Sequence, residues 1–501
     1  MMPDRGVESR RLVTVAEPRF PSTGPSRHRH GGHSSPIEKL SFEVLSQIFL
    51  ECLPETGFPK ASTKVAPTLL ARVCSHWRAV AMRTPLLWAG INLGDNWRDL
   101  LNPRHDYLKD AMAAKEWSIR AGSCLLSYRL YYWNCPPRSQ NVLKVILSHH
   151  GRWRHIAIHL PAPVWTQFLS AAVRTVAPHL QYLELLGAES SSRSEVVQVP
   201  NPGFPKLHSL FLGRCGVLFD FADTGAPFLR NVTVDNCPEL TLDDCWCFLH
   251  HCPNLEIFAA YCDSRKPLTS TSATTRRTIH ETRCLKKLHL DVQYADSGQL
   301  LGLFYAPALE SLQLADFHTG GGPGATSGYP QLAPFLSKSS AHLTSMNIDL
   351  DMTDDEFLAS FRRTPALTSV ELHSQRGFLS DAVMDSLIMR AKDPQKHILP
   401  SLEHIILTGV DESRYESIEK IVLSRWEGRA GTGLSTTIGE EMSGGWERRL
   451  NSVHLYGPDL GRPSNIALRP MIKACIEGGL EVIDAPLVLG EFYPSVFNGS
   501  F

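Results

Sequence analysis

Apolar residues recur along this chain with two different periods, and the change of period divides it. From Ile37 the run "IEKLSFEVLSQIFLECLP" spaces Leu40, Val44, Leu45, Ile48, Phe49 and Cys52 three or four residues apart, one stripe of an amphipathic helix. Ser41 offers an N-cap hydroxyl and Glu43 an acid for the positive end of the helix dipole, while Pro54 and Gly57 stop the helix. A second helix is expected over 67–83, with Leu69, Leu70, Val73, Trp77 and Val80 on one side. Thr84 and Pro85 then start a short third turn that brings in Leu87 and Trp88. Three short helices in so few residues enclose too small a core to stand alone, so they are expected to lean on the rest of the chain.

Further along, the pattern becomes Leu-x-x-Φ-x-Φ, where Φ is apolar. It recurs in "PHLQYLELLG", "PKLHSLFLGRC", "PFLRNVTVDNC", "PNLEIFAAYC", "RCLKKLHLDV", "PALESLQLAD", "AHLTSMNIDL", "PALTSVELHS", "PSLEHIILTG" and "RRLNSVHLYG". The leading leucines are Leu180, Leu207, Leu229, Leu255, Leu285, Leu309, Leu343, Leu367, Leu402 and Leu450, and the first intervals of 27, 22, 26, 30 and 24 residues suit a leucine-rich repeat. "CLLSYRLYYW" and "RWRHIAIHLP" read as divergent earlier copies. Between the strands, Val164, Trp165, Phe168, Leu169, Ala172, Val173 and Val176 follow helical spacing, and Thr353 with Glu356 forms a capping box. A strand and a helix per repeat predict an α/β fold: a curved solenoid, parallel sheet inside and helices outside. Strand alternation sends the Φ residues into the core and the third and fifth positions to the open face. There, Tyr182, Phe211 and Ile257 are large and apolar within four consecutive repeats, which makes them the candidate target-binding residues. Cys215 and Cys237 close two of the signatures, where a small side chain packs inside the turn.

Composition narrows the function by exclusion. The 501 residues carry 50 basic and 51 acidic side chains, a net charge of −1, so no global field recruits nucleic acid or an anionic membrane. No stretch is apolar enough for a signal peptide or a membrane span, and an intracellular protein, cytoplasmic or nuclear, is expected. Residues 1–35, rich in Pro, Gly, Ser and Arg, read as a disordered tail, and His28, His30 and His33 as part of it. Twelve irregularly spread cysteines fit reduced thiols. In "CWCFLHHC", the residues Leu242, Cys245, Trp246, Leu249 and Cys252 fall at helical spacing as one buried face, and no CxxC pair exists, so no metal is assigned. "GGGPGATSG" has the glycines of a phosphate loop without its lysine, "GTGLSTTIG" lacks the G-x-S-x-G of a hydrolase, and no His-Glu zinc motif occurs. No catalytic residue and no cofactor is assigned.

Residues 36–92 resemble the F-box family, especially the divergent F-box-like proteins of mushroom-forming fungi. The matching residues are Leu40, Glu43, Val44, Leu45, Ile48 and Phe49, then Val73, Cys74, Trp77, Arg78, Val80 and Ala81, then Thr84, Pro85, Leu87 and Trp88. Ser41 stands where the family pattern has proline. The resemblance implies a tail at 1–35, a three-helix F-box-like bundle at 36–92, a leucine-rich-repeat-like solenoid over 93–490 with insertions near 318–330 and 427–446, and a tail at 491–501. It further implies that Leu40, Ser41, Glu43, Val44 and Ile48 dock on a Skp1-like adaptor, and through it on a cullin-RING ubiquitin ligase, while the repeats hold a target protein. Two alternatives stay open: a repeat scaffold that engages no ligase, and an enzyme whose active site is scattered in sequence.

Overall fold

Ten leucines open ten strands. Each leading leucine of the repeat signature is at most 3 % exposed, and the Φ positions after it lie in one continuous core. The computed structural model describes residues 36–94, 106–132, 139–161, 177–188, 197–200, 203–215, 217–221, 225–237, 240–263, 268, 279–293, 295–317, 329–350, 352–373, 380–389, 397–409, 412–426, 450–456 and 466–485. The expected tails, the expected helix over 164–176, the loop at 318–328 and the insertion at 427–446 lie outside these residues.

The molecule is a mixed α/β protein built on an all-parallel sheet of 14 strands. In spatial order these are β1 (Gly90–Gly94), β2 (Leu126–Tyr131), β3 (Trp153–Pro161), β4 (Tyr182–Ala188), β6 (Ser209–Gly213), β8 (Asn231–Asp235), β9 (Ile257–Asp263), β11 (Lys287–Gln293), β13 (Ser311–Phe317), β14 (Ser345–Asp349), β15 (Ser369–His373), β16 (His404–Thr408), β17 (Ser452–Tyr456) and β18 (Glu481–Ala485). Two small parallel pairs flank it: β5 (Val197–Pro200) with β7 (Val217–Asp220), and β10 (His280–Glu281) with β12 (Phe304–Tyr305). Strands succeed one another in chain order because each connection returns to the same end of the sheet, the only way to join parallel neighbours. Burial alternates along them, as in β8 and β14, so one face carries the core and the other the third and fifth positions of each signature.

Local rules account for the helices. Thr353 and Glu356 form the expected capping box at the helix Asp354–Phe361. Thr241 and Asp244 form another at Leu242–His251. In that second helix Leu242, Cys245 and Leu249 are buried, as is Cys252 at its end, while Trp246 is half-buried, so the cysteines there serve packing. Cys215 and Cys237 are buried with their sulfurs 3.9 Å apart, in the turns where the repeat pattern put them.

The N-terminal segment departs from expectation in two respects. α1 (Phe42–Glu51) begins on Ser41, whose hydroxyl accepts the Val44 N–H at 3.4 Å. The single helix expected over 67–83 is instead a 3-10 turn, Leu70–Arg72, and a separate helix, α2 (Ser75–Met82). Cys74 breaks it: its backbone is extended, φ −153° and ψ 175°, and its thiol caps the new helix by accepting the Trp77 N–H. The break resets the helical phase. Leu70 and Val80 are buried, but Leu69 and Val73, placed by the unbroken pattern on the same face, point to solvent. Trp88 is 1 % exposed, donates its indole N–H to the Ala81 carbonyl at 2.9 Å, and meets Trp117 of α3 (Tyr107–Arg120) edge to face. The boundary expected at residue 92 falls inside β1, which pairs with β2, so the N-terminal helices join the sheet without a linker.

Candidate functional sites

Two surfaces stand out, one apolar and one polar. The apolar one lies on the N-terminal helices. Among the described residues, eight of the fifteen large apolar side chains that face solvent fall within residues 36–92, so exposure there is concentrated rather than scattered. The cause is visible in α1. Leu45 and Phe49 fill the interior, which leaves Val44 and Ile48, 48 % and 40 % exposed, on the outer side of the same helix. Val73, Leu69 and Leu86 add apolar surface from the neighbouring segments. Of the other sequence candidates, Leu40 is half-buried against the core and Ser41 is exposed and occupied as the cap. Glu43 is exposed, its carboxyl held below the usual range first by a backbone N–H and then by the Ser41 hydroxyl. Val44 and Ile48 are therefore the expected adaptor residues best placed for contact.

The polar surface is the open face of the sheet. Tyr182, Phe211 and Ile257 all lie on it, each half-buried. Tyr182 is opposite Ser209 and Phe211 opposite Glu184, so the two aromatics occupy different rows. Ile257 shares the Tyr182 row, yet Ser209 and Asn231 lie between and bond to each other at 3.2 Å. Polar residues thus interrupt the row between Tyr182 and Ile257.

Tyr182 instead belongs to a network that the ten regular repeats did not reveal. His155 of β3 stacks flat on it at 4.0 Å between ring centroids, and Phe58 meets His155 edge-on at 4.9 Å. Phe58 reaches the sheet because the Asn92 N–H donates to the Pro59 carbonyl, which lays the segment before it along β1. A side chain at Gly90 would stand 2.7 Å from that ring, so only glycine admits the contact. The Tyr182 hydroxyl donates to Glu184 at 2.8 Å, and His159 meets the other carboxylate oxygen at 2.6 Å. Burial would raise Glu184, but the bonds from His159 and Tyr182 outweigh it and hold the carboxyl below its ordinary value. Burial pushes His155 down to about 4, so it is a neutral ring at physiological pH. The signal was present in "RHIAIH", whose outward positions carry both histidines, in a strand too divergent to show the repeat signature.

A second group lies near the middle of the same face. Asp291 of β11 is 3 % exposed, and its Oδ1 has no hydrogen-bond partner. Burial, then the charges of Asp349 and Asp235, push its carboxyl up to about 7. His289, two residues earlier on the same face, is pushed down to about 4 by burial and has an unpartnered Nδ1. Among the described residues, no three His, Cys, Asp or Glu side chains are arranged to hold a metal ion, and no helix is long and apolar enough to cross a membrane. The chain matches no family model and no curated protein sequence.

Proposed function

We propose that this protein is a substrate-recognition subunit of a ubiquitin ligase of the Skp1-cullin-F-box type. In this reading the helices of residues 36–92 form an F-box-like bundle, and the strands and helices beyond it form a curved leucine-rich-repeat solenoid that holds a target protein. The observation that carries it is the concentration of exposed apolar side chains on the N-terminal helices, with Val44 and Ile48 at its head. Apolar side chains concentrated on one exposed segment mark a place where another protein can sit. Residues 36–92 are also where the sequence resembles the F-box family. The direct join between Trp88, β1 and α3 supports a mechanical role, because it fixes the adaptor-binding end relative to the target-binding end. Work of this kind needs no nucleophile: holding a target beside a ubiquitin-charged enzyme raises the effective concentration of its lysines.

The test uses the full-length protein and a purified Skp1-like adaptor. Because Val44 and Ile48 face solvent, changing both to Asp leaves the core intact while placing charge in the contact. Micromolar binding by the wild type, lost in the double variant with unchanged thermal unfolding, supports the reading. Absence of a wild-type complex at tens of micromolar overturns it.

A further inference from the structure

The open face of the sheet has a charge that the whole chain lacks. Over the third, fifth and seventh positions of the strands β4 to β17, the side chains include five carboxylates, Glu184, Asp235, Asp291, Asp349 and Glu371, against one lysine, Lys287, in a chain of nearly zero net charge. Glu184 is engaged by His159 and Tyr182, and Glu371 accepts from Asn347 at 2.7 Å. Asp235, Asp291 and Asp349 differ, because they lie in one row. Asp291 is in register with Tyr261 and Ala315, and the row runs on through Ala315 to Asp349 and, on the strand beyond Tyr261, to Asp235, one residue past the Val234–Ala260 pair.

We propose that this row is a recognition site for a basic segment of the target, an extended peptide that lays lysine or arginine side chains across the strands. It rests on the reading of the repeats as the target-holding part, and it names the chemistry of what they hold. Asp291 carries the argument. A carboxyl that is almost fully buried with an unpartnered oxygen, flanked by two more carboxyls, is costly to ionise alone and ionises readily once a cation is set beside it. The spacing decides which cation. Asp235 and Asp349 each lie two strands from Asp291, roughly 10 Å at the usual strand separation. Three carboxylates so far apart cannot close on one metal ion, whose oxygens stand only about 2.5 Å away. They do match a peptide in the extended polyproline II conformation, which advances about 3.1 Å per residue with three residues per turn and so presents every third side chain on one side at roughly 9 Å. The bonded pair Tyr261 and Gln293 and the neutral ring of His289 line the floor beside Asp291 and bring no opposing charge.

The experiment uses the full chain and a fluorescein-labelled peptide of four Arg-Gly-Ser triplets, with a citrulline-for-arginine peptide as its control, read by fluorescence anisotropy. Saturable binding of the arginine peptide is expected, at least tenfold tighter than that of the citrulline peptide. D291N is expected to weaken it about tenfold, and the combined D235N, D291N and D349N variant to abolish it. A second triple variant, E55Q, D355N and E477Q, removes the same net charge from exposed sites elsewhere and is expected to bind as the wild type does. Equal binding of the two peptides, wild-type affinity in the row variant, or equal loss in both triple variants overturns the proposal. Thermal unfolding accompanies each variant. Removing the buried charge of Asp291 is expected to leave stability unchanged or raised at pH 8, so a folding defect does not mimic the loss. The adaptor-surface variant V44D with I48D is expected to bind the peptide normally, so failure of the adaptor contact and failure of this site are read separately.

Discussion

Replacing Asp316 with Asn removes a carboxyl from the interior at the end of β13 and is expected to change how stability depends on pH. Asp316 is 2 % exposed. Burial, helped by the charges of Asp296 and Asp291 and opposed by Ser297, raises it from 3.8 to about 8. Its folded value lies above its unfolded one, so over the interval between them the folded chain holds a proton that the unfolded chain has released. The stabilisation is complete below the unfolded value and is lost as pH rises through about 8. Between pH 6 and 8.5 this one group removes about 2.5 kcal/mol by linkage. Asp291, raised to about 7, titrates earlier in the same direction. His155 and His289, pushed down to about 4, titrate with the opposite sign, but they are present in both proteins and cancel in the comparison. The assay is urea denaturation of wild type and D316N at pH 6, 7 and 8.5. The wild type is expected to lose about 2.5 kcal/mol relative to D316N across that range. Parallel curves for the two proteins would refute the assignment of a neutral, buried carboxyl to Asp316.

Packing sets two further outcomes. Trp88, enclosed by Trp117 and under the Arg120 guanidinium at 4.6 Å, is expected to cost about 3 to 5 kcal/mol on change to Ala. Trp77, half-buried against Phe49, is expected to cost roughly half as much, and thermal unfolding in the reverse order would contradict this. Arg425 is 3 % exposed and donates to the carbonyls of Leu387, Leu399 and Ile398 at 2.6 to 2.8 Å. Lysine cannot span that planar fan, so R425K is expected to lose about 3 kcal/mol of stability, read as a lower denaturation midpoint. An unchanged midpoint would show that water replaces the lost donors.

The sequence alone determined what is periodic. The ten leading leucines, the face that each strand buries, the Ser41 cap and the capping box at Thr353 were legible because each depends on residues within a few positions of one another. Alternation and helical phase are local rules, and here the tertiary fold leaves them in force. β18 escaped because its register sets Asp484 opposite Leu455, so the strand pairs by its backbone while breaking the apolar signature. The interruption at Cys74 escaped because one extended residue costs the pattern nothing that a helical count detects, yet it turns Leu69 and Val73 outward. The polar chemistry was decided by the sheet alone. Parallel pairing sets His155 against Tyr182 and brings Asp235, Asp291 and Asp349 into one row across stretches of unequal length. A carboxyl's charge then depends on how much water those neighbours displace, which no stretch of sequence contains.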